Sequence, residues 1–178
     1  MTIQGWALIL LAAAAGQVVD PEGKPIQGAE ACTGAKEAME CVKTDAHGFY
    51  RLEKPSRPKV FIRASGYVPA QADAVEDATP IRLTRAAILT VRVVDSVTGQ
   101  PVTTGRIILN YTSGQGIGTS APFNKNGVRI TTLVPGEVLA RAESEGYDPG
   151  GPEPVHLEGG IEKKVTIGMR RRAPIVLH

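Results

Sequence analysis

The chain repeats itself once, and this limits its fold more than any other feature. Gly16-Gln-Val-Val-Asp20-Pro-Glu-Gly23-Lys-Pro25-Ile26 is matched by Val91-Arg-Val-Val-Asp95-Ser-Val-Thr-Gly99-Gln-Pro101-Val102. Each segment is an apolar run ending in Asp, then a Gly turn, then a polar residue and Pro leading into the next run. Further on, Thr44-Asp45-Ala-His-Gly48-Phe49 corresponds to Asn124-Lys-Asn-Gly127-Val128. Val60 to Gly66-Tyr67 corresponds to Val138 to Gly146-Tyr147. The offset drifts from 76 at Gly23/Gly99 to 80 at Gly66/Gly146, as a duplicated module with a few loop insertions requires.

Each copy reads as strands. Val60, Ile62 and Ala64 alternate with Phe61 and Arg63; Leu89, Val91 and Val93 alternate with Thr90 and Arg92. Ile107, Leu109 and Tyr111, and later Val165, Ile167 and Met169, follow the same period of two, which is that of half-buried strands. Turn formers separate them, and the 20 Gly and 13 Pro of the 178 residues argue against a helical bundle. Ala35–Met39 and Ala70–Ala78 read as loop or hairpin. A chain that is 42% hydrophobic and 21% charged is too apolar for disorder, and a net charge of +2 is too small for a dedicated nucleic-acid binder. The expected fold is all-β, as two consecutive Greek-key β-sandwiches over 16–85 and 86–172, with a tail over 173–178. The junction Ile81 to Val91 has no Gly, Ser or Pro run and reads as a stiff link.

Val19 to Ala29 (V-D-x-x-G-x-P-I-x-G-A), Thr44 to Tyr50 (T-D-x-x-G-x-Y) and Ala64 to Tyr67 (A-S-G-Y) resemble a carboxypeptidase regulatory-like domain. The resemblance implies a transthyretin-like β-sandwich. It covers Gly16–Thr84 well and Ala87–Arg171 more distantly, since the second copy has no Thr-Asp pair before Gly127. The motif is structural and implies fold rather than function. Asp20, Asp45 and Asp95 are expected to accept backbone N–H bonds in the turns they start. Gly23, Gly48, Gly99 and Gly127 are expected at positive φ. Tyr67 and Tyr147 are expected to lay their rings over the sandwich edge and bond through the hydroxyl.

Cys32 and Cys41 are the only cysteines. They flank a segment that reads as a hairpin centred between Lys36 and Glu37, which sets them opposite one another and within disulfide reach. The apolar run Trp6–Ala15 suits the core of a signal peptide and is too short to span a bilayer, which takes roughly 20 apolar residues. Ala13-Ala14-Ala15 offers small-x-small cleavage before Gly16, although no Lys or Arg precedes Trp6. Residues 1–15 are therefore expected to be a leader. The mature chain has no transmembrane helix and is secreted or held in the envelope, where oxidation of the cysteine pair is favoured.

No catalytic constellation emerges. His47, His156 and His178 lack the spacing of a zinc carboxypeptidase, and no Gly-x-Ser-x-Gly elbow is present. Two Cys without a nearby His do not complete a metal site, and the acidic spots Asp20/Glu22 and Asp73/Glu76/Asp77 read as solvated loops. No cofactor is implied. The reading is a non-catalytic spacer or interaction module for another envelope or secreted protein, with contacts at edge strands and loops. The alternative is a small-ligand or glycan module around Ser113–Phe123, with Tyr50, Tyr111 and Phe123 as ring platforms. The basic pair Lys163-Lys164 and run Arg170–Arg172 offer attraction to anionic partners.

Overall fold

The computed structural model describes residues 13–34, 39–53, 55, 57–75, 79–113 and 118–173. It divides into two compact units, Met1–Thr84 and Arg85–His178. The first holds β1 (Ala14–Val19), β2 (Glu30–Thr33), β3 (Glu40–Lys43), β4 (Phe49–Leu52), β5 (Lys59–Arg63), β6 (Ala70–Asp73) and β7 (Ile81–Arg82). The second holds β8 (Ala87–Asp95), β9 (Thr104–Tyr111), β10 (Thr119–Asn124), β11 (Val128–Leu133), β12 (Gly136–Glu143), β13 (Gly150–Leu157) and β14 (Glu162–Met169).

The two units share one strand order. In the first, a sheet β4-β1-β7 faces a sheet β3-β2-β5-β6; in the second, β11-β8-β14 faces β10-β9-β12-β13. Each chain segment leaves the smaller sheet after its first strand, returns for its fourth and again for its seventh, which is Greek-key wiring. The first and last strands of each unit pair in parallel, β1 with β7 and β8 with β14. All other pairings are antiparallel.

Period-two patterning closes each sandwich. In the first unit Val18, Tyr50, Leu52 and Leu83 from the small-sheet side meet Ala31, Val60 and Ile62 from the other. In the second, Leu89, Val91 and Ile167 meet Ile107, Leu109, Val138 and Leu157. Burying such a side chain is worth roughly 1.5–3 kcal/mol, so these rows dominate what holds each unit together. Ion pairs on the outer faces, such as Lys59–Asp73 at 2.6 Å and Arg63–Glu30 at 3.3 Å, are exposed and add about 1 kcal/mol or less each.

Two details differ from the sequence reading, and a third explains how a weaker match still forms its turn. Strand β1 takes in Ala14 and Ala15, which pair with Leu52 and Arg51, so it starts two residues before the reading placed the first sandwich. An alanine run carries no strand signature, yet Ala14 is small enough to be wholly buried beside Leu52. Ala70–Asp73 is a strand on the free side of β5, a role its small and polar residues did not reveal. The turn before Gly127 forms without a Thr-Asp pair: Asn124 Oδ1 accepts the N–H of Asn126 at 2.8 Å, and Gly127 N donates to Asn124 O at 2.8 Å. Asn124 thus does the work that Asp45 does in the first unit.

Candidate interaction surface

The turns are built twice by the same chemistry. Asp20 Oδ1 accepts from Glu22 N at 3.0 Å and Lys24 N at 2.8 Å. Asp95 Oδ1 accepts from Val97 N and Thr98 N, both at 3.0 Å. In both loops the Asp carbonyl then accepts from the turn glycine, Gly23 N at 3.0 Å and Gly99 N at 2.8 Å. Asp45 Oδ1 accepts from His47 N and Phe49 N. Gly23, Gly48, Gly99 and Gly127 all have positive φ. The constraint is tightest at Gly48 and Gly127, where a Cβ would also run into the carbonyls of Val18 and Val91.

Tyr67 and Tyr147 are partly buried against their own cores. The Tyr147 hydroxyl accepts from Arg171 Nε at 3.2 Å, and the Arg171 guanidinium lies 5.6 Å from the ring centroid. Arg171 Nε is also 3.8 Å from Asp95 Oδ2. One cation therefore ties the segment after β14 to both the opening turn and the Gly-Tyr loop of the second unit. The N–H bonds from Thr98 and Val97 hold the Asp95 carboxyl below its ordinary range, with Arg171 adding to the effect.

The rings that the glycan reading needed are not platforms. Tyr50 and Phe123 are buried, and Tyr111 packs against the core with its hydroxyl donating to Val134 O at 3.0 Å. Burial pushes the Tyr111 hydroxyl pKa up. Alternation along Ile107–Tyr111 already placed Tyr111 inward; Phe123 had no such sign, being flanked by Pro122 and Asn124. Part of the loop that reading centred on, 114–117, lies outside the described residues, as do Lys36, Glu37, Glu76, Asp77 and His178. His47 sits in an exposed turn. His156 on β13 meets Glu137 Oε1 across the strand pair, both side chains more than half exposed. Neither histidine has a nucleophile placed against it among the described contacts.

What remains is a question of strand edges. An edge strand offers unpaired N–H and C=O groups to any extended partner, and folds guard such edges with Pro, bulges, shortness or charged side chains, which bar like-charged partners. In the second unit β10 carries Pro122, β13 carries Pro152 and Pro154, and the β11–β8 register breaks between Ile130 and Leu133. In the first unit the edge strands β3, β4 and β6 have four residues each and β7 has two. Strand β14 is different: eight residues, without proline, its ladder to β8 unbroken from Glu162 to Met169.

The register says which groups face outward. Ile88 N donates to Ile161 O and Ser96 N donates to Met169 O, so the odd-numbered residues of β14 bond toward β8. The backbone groups of Glu162, Lys164 and Thr166 then face the free edge. At the far end Gly150 closes on Gly168 O, where even a Cβ on Gly150 would stand only 2.7 Å away.

Beside this edge the outer face of the small sheet is basic. A shallow depression of about 460 Å3 is lined by Thr90, Arg92, Asn126, Lys164, Val165 and Thr166, with no carboxylate in the lining. Beside it Glu162 accepts from the Thr90 hydroxyl at 2.6 Å and pairs with Arg129 Nε at 3.4 Å. The Thr90 bond first, then Arg129 and Lys164, hold its carboxyl below the ordinary range.

No protein-family model matches the chain, and no curated protein is similar to it. Among solved structures, the chain is similar to the TIE protein of Bacillus anthracis at 14% identity and a TM-score of 0.43, over 90% of this chain and 34% of that one. It thus spans about a third of that protein's length. It is similar to the shaft pilin SpaA of Lactobacillus rhamnosus GG at 9% identity and a TM-score of 0.45, over 93% of this chain and 99% of that one. For GBS52, the minor pilin of Streptococcus agalactiae, the values are 15% and 0.39, over 93% and 99%. Values this low carry no function from those proteins to this chain. No helix among the described residues is long and apolar enough to cross a membrane.

Proposed function

We propose that this chain is a non-catalytic envelope or secreted module that holds another protein by adding one of that protein's extended segments to the free edge of β14. The observation that carries the reading is the contrast between β14 and the other edges, each of which is short, proline-bearing or irregular. The basic residues set the partner's character. Two copies meeting edge to edge would oppose Lys163 and Lys164 to their own kind, which disfavours self-pairing. An acidic strand would find Lys164 beside it and Arg92 one strand further in, so repulsion and attraction both favour a different chain over a second copy. The apolar leader-like run supports export. The repeated Asp–Gly turns and the shared strand order support the resemblance to carboxypeptidase regulatory-like domains as the origin of both units.

The test is a photo-crosslinking amino acid at position 164 of the full chain, expressed in its native host. One envelope protein captured through an acidic, extended peptide is the expected result. Thr166→Pro removes an edge-facing N–H while leaving the bonds to β8 intact, and should abolish capture; Thr166→Ala should keep it. Capture that survives Thr166→Pro in a folded chain would refute strand addition.

A further inference from the structure

The disulfide of the first unit lies where a reactive bond would lie, not where a core staple would. Cys32 pairs directly with Cys41 across β2 and β3, and with Phe61 across β2 and β5. Its neighbour Ala31 points into the core with Ile62. Alternation therefore puts Cys32, Cys41, Phe61 and Arg63 together on the outer face of the sheet. The two sulfurs are unequal there. Cys32 is 1% exposed, whereas Cys41 belongs to the edge strand β3 and is exposed. Arg63 Nη2 lies 3.9 Å from Cys32 Sγ, and the same nitrogen is 3.3 Å from Glu30 Oε2.

We infer that Cys41 is the entry point of a thiol–disulfide exchange site on this face, opened by a thiolate donor from solvent. The incoming thiolate forms a bond to Cys41 Sγ as the Cys32–Cys41 bond breaks. The bonding electron pair leaves on Cys32 Sγ, which becomes a thiolate beside the Arg63 guanidinium. A second donor thiolate then attacks the mixed disulfide at its own sulfur, releasing the donor's disulfide and the reduced pair. A leaving thiol of lowered pKa departs faster, and a neighbouring guanidinium lowers it. Attack in the other direction is blocked, since Cys32 is covered. Because the pair is outside the apolar core, opening it leaves Val60, Ile62 and Leu52 packed.

The experiment exposes the folded, oxidised full chain to reduced glutathione, quenches with acid and locates the adduct by mass spectrometry. The expected result is glutathione on Cys41 in at least tenfold excess over Cys32. Arg63→Gln should slow adduct formation roughly three- to tenfold, and Arg63→Lys should restore most of it. Loss of fold in Arg63→Gln would speed the reaction instead, so the sign of the change separates the two cases. Adduct on Cys32, an even split, or a rate that rises with denaturant in step with unfolding would overturn the assignment.

Discussion

Two backbone N–H groups aimed at one carboxylate make the second unit sensitive to acid. Asp95 is 5% exposed, and the bonds from Thr98 and Val97 favour its charged form. A carboxyl whose folded pKa lies below its unfolded value stabilises the fold fully above about pH 4. That contribution is lost as pH falls through the folded pKa. The thermal midpoint of the second unit should therefore drop as pH falls below about 4. Asp95→Asn keeps a side-chain oxygen for the turn and removes the charge, so it should flatten this limb in a pH series of melting curves. The slope that remains belongs partly to Glu162, which is shifted the same way. Asp95 was legible in the sequence because a lone Asp at the end of an alternating run has few other uses. Arg171 was not: nothing in a basic run near the end of the chain distinguishes the one residue that returns to Tyr147 and Asp95.

At the scale of elements, alternation and turn chemistry placed most of the strands, and failed where those signals are weak. Strand β6 is built from Ala70-Gln-Ala-Asp73, whose small side chains show no apolar row. The middle hairpin of the second unit was legible only through the weaker match of Asn124–Gly127 to Thr44–Gly48, Asn offering the turn the same oxygen as Asp. The edge of β14 could not be read at all, because which strand lies outermost is decided by pairing between distant segments. The hairpin of β2 and β3 was legible from the spacing of its cysteines. Its disulfide closes a loop with a sequence separation of 9, for which the chain-entropy gain is about 2.5–3 kcal/mol. Replacing both residues, Cys32→Ala with Cys41→Ala, should lower the stability of the first unit by about that amount and leave the second unchanged. Denaturant titration of the whole chain, read by probes placed in each unit, measures both.

For the whole molecule, the decisive fact is that each unit has a core of its own among the described residues. Every buried residue of one core lies before Thr84 and every one of the other after Arg85. Residues 85–178 expressed alone should fold with a cooperative transition matching the corresponding phase of the full chain. A half that is unfolded in isolation would show that stability is shared across the junction. The repeat announced this division, since a module that is copied whole must carry its own interior.

The parallel pairing of first and last strands has a mechanical meaning. Tension applied at the two ends of a unit pulls those strands past one another, so their hydrogen bonds are loaded together in shear rather than opened one at a time. The ladder joining β8 to β14 runs over eight residue pairs, while β1 meets β7 over two. Under load the first unit therefore yields at forces the second withstands, and the disulfide between Cys32 and Cys41 limits how much chain it releases.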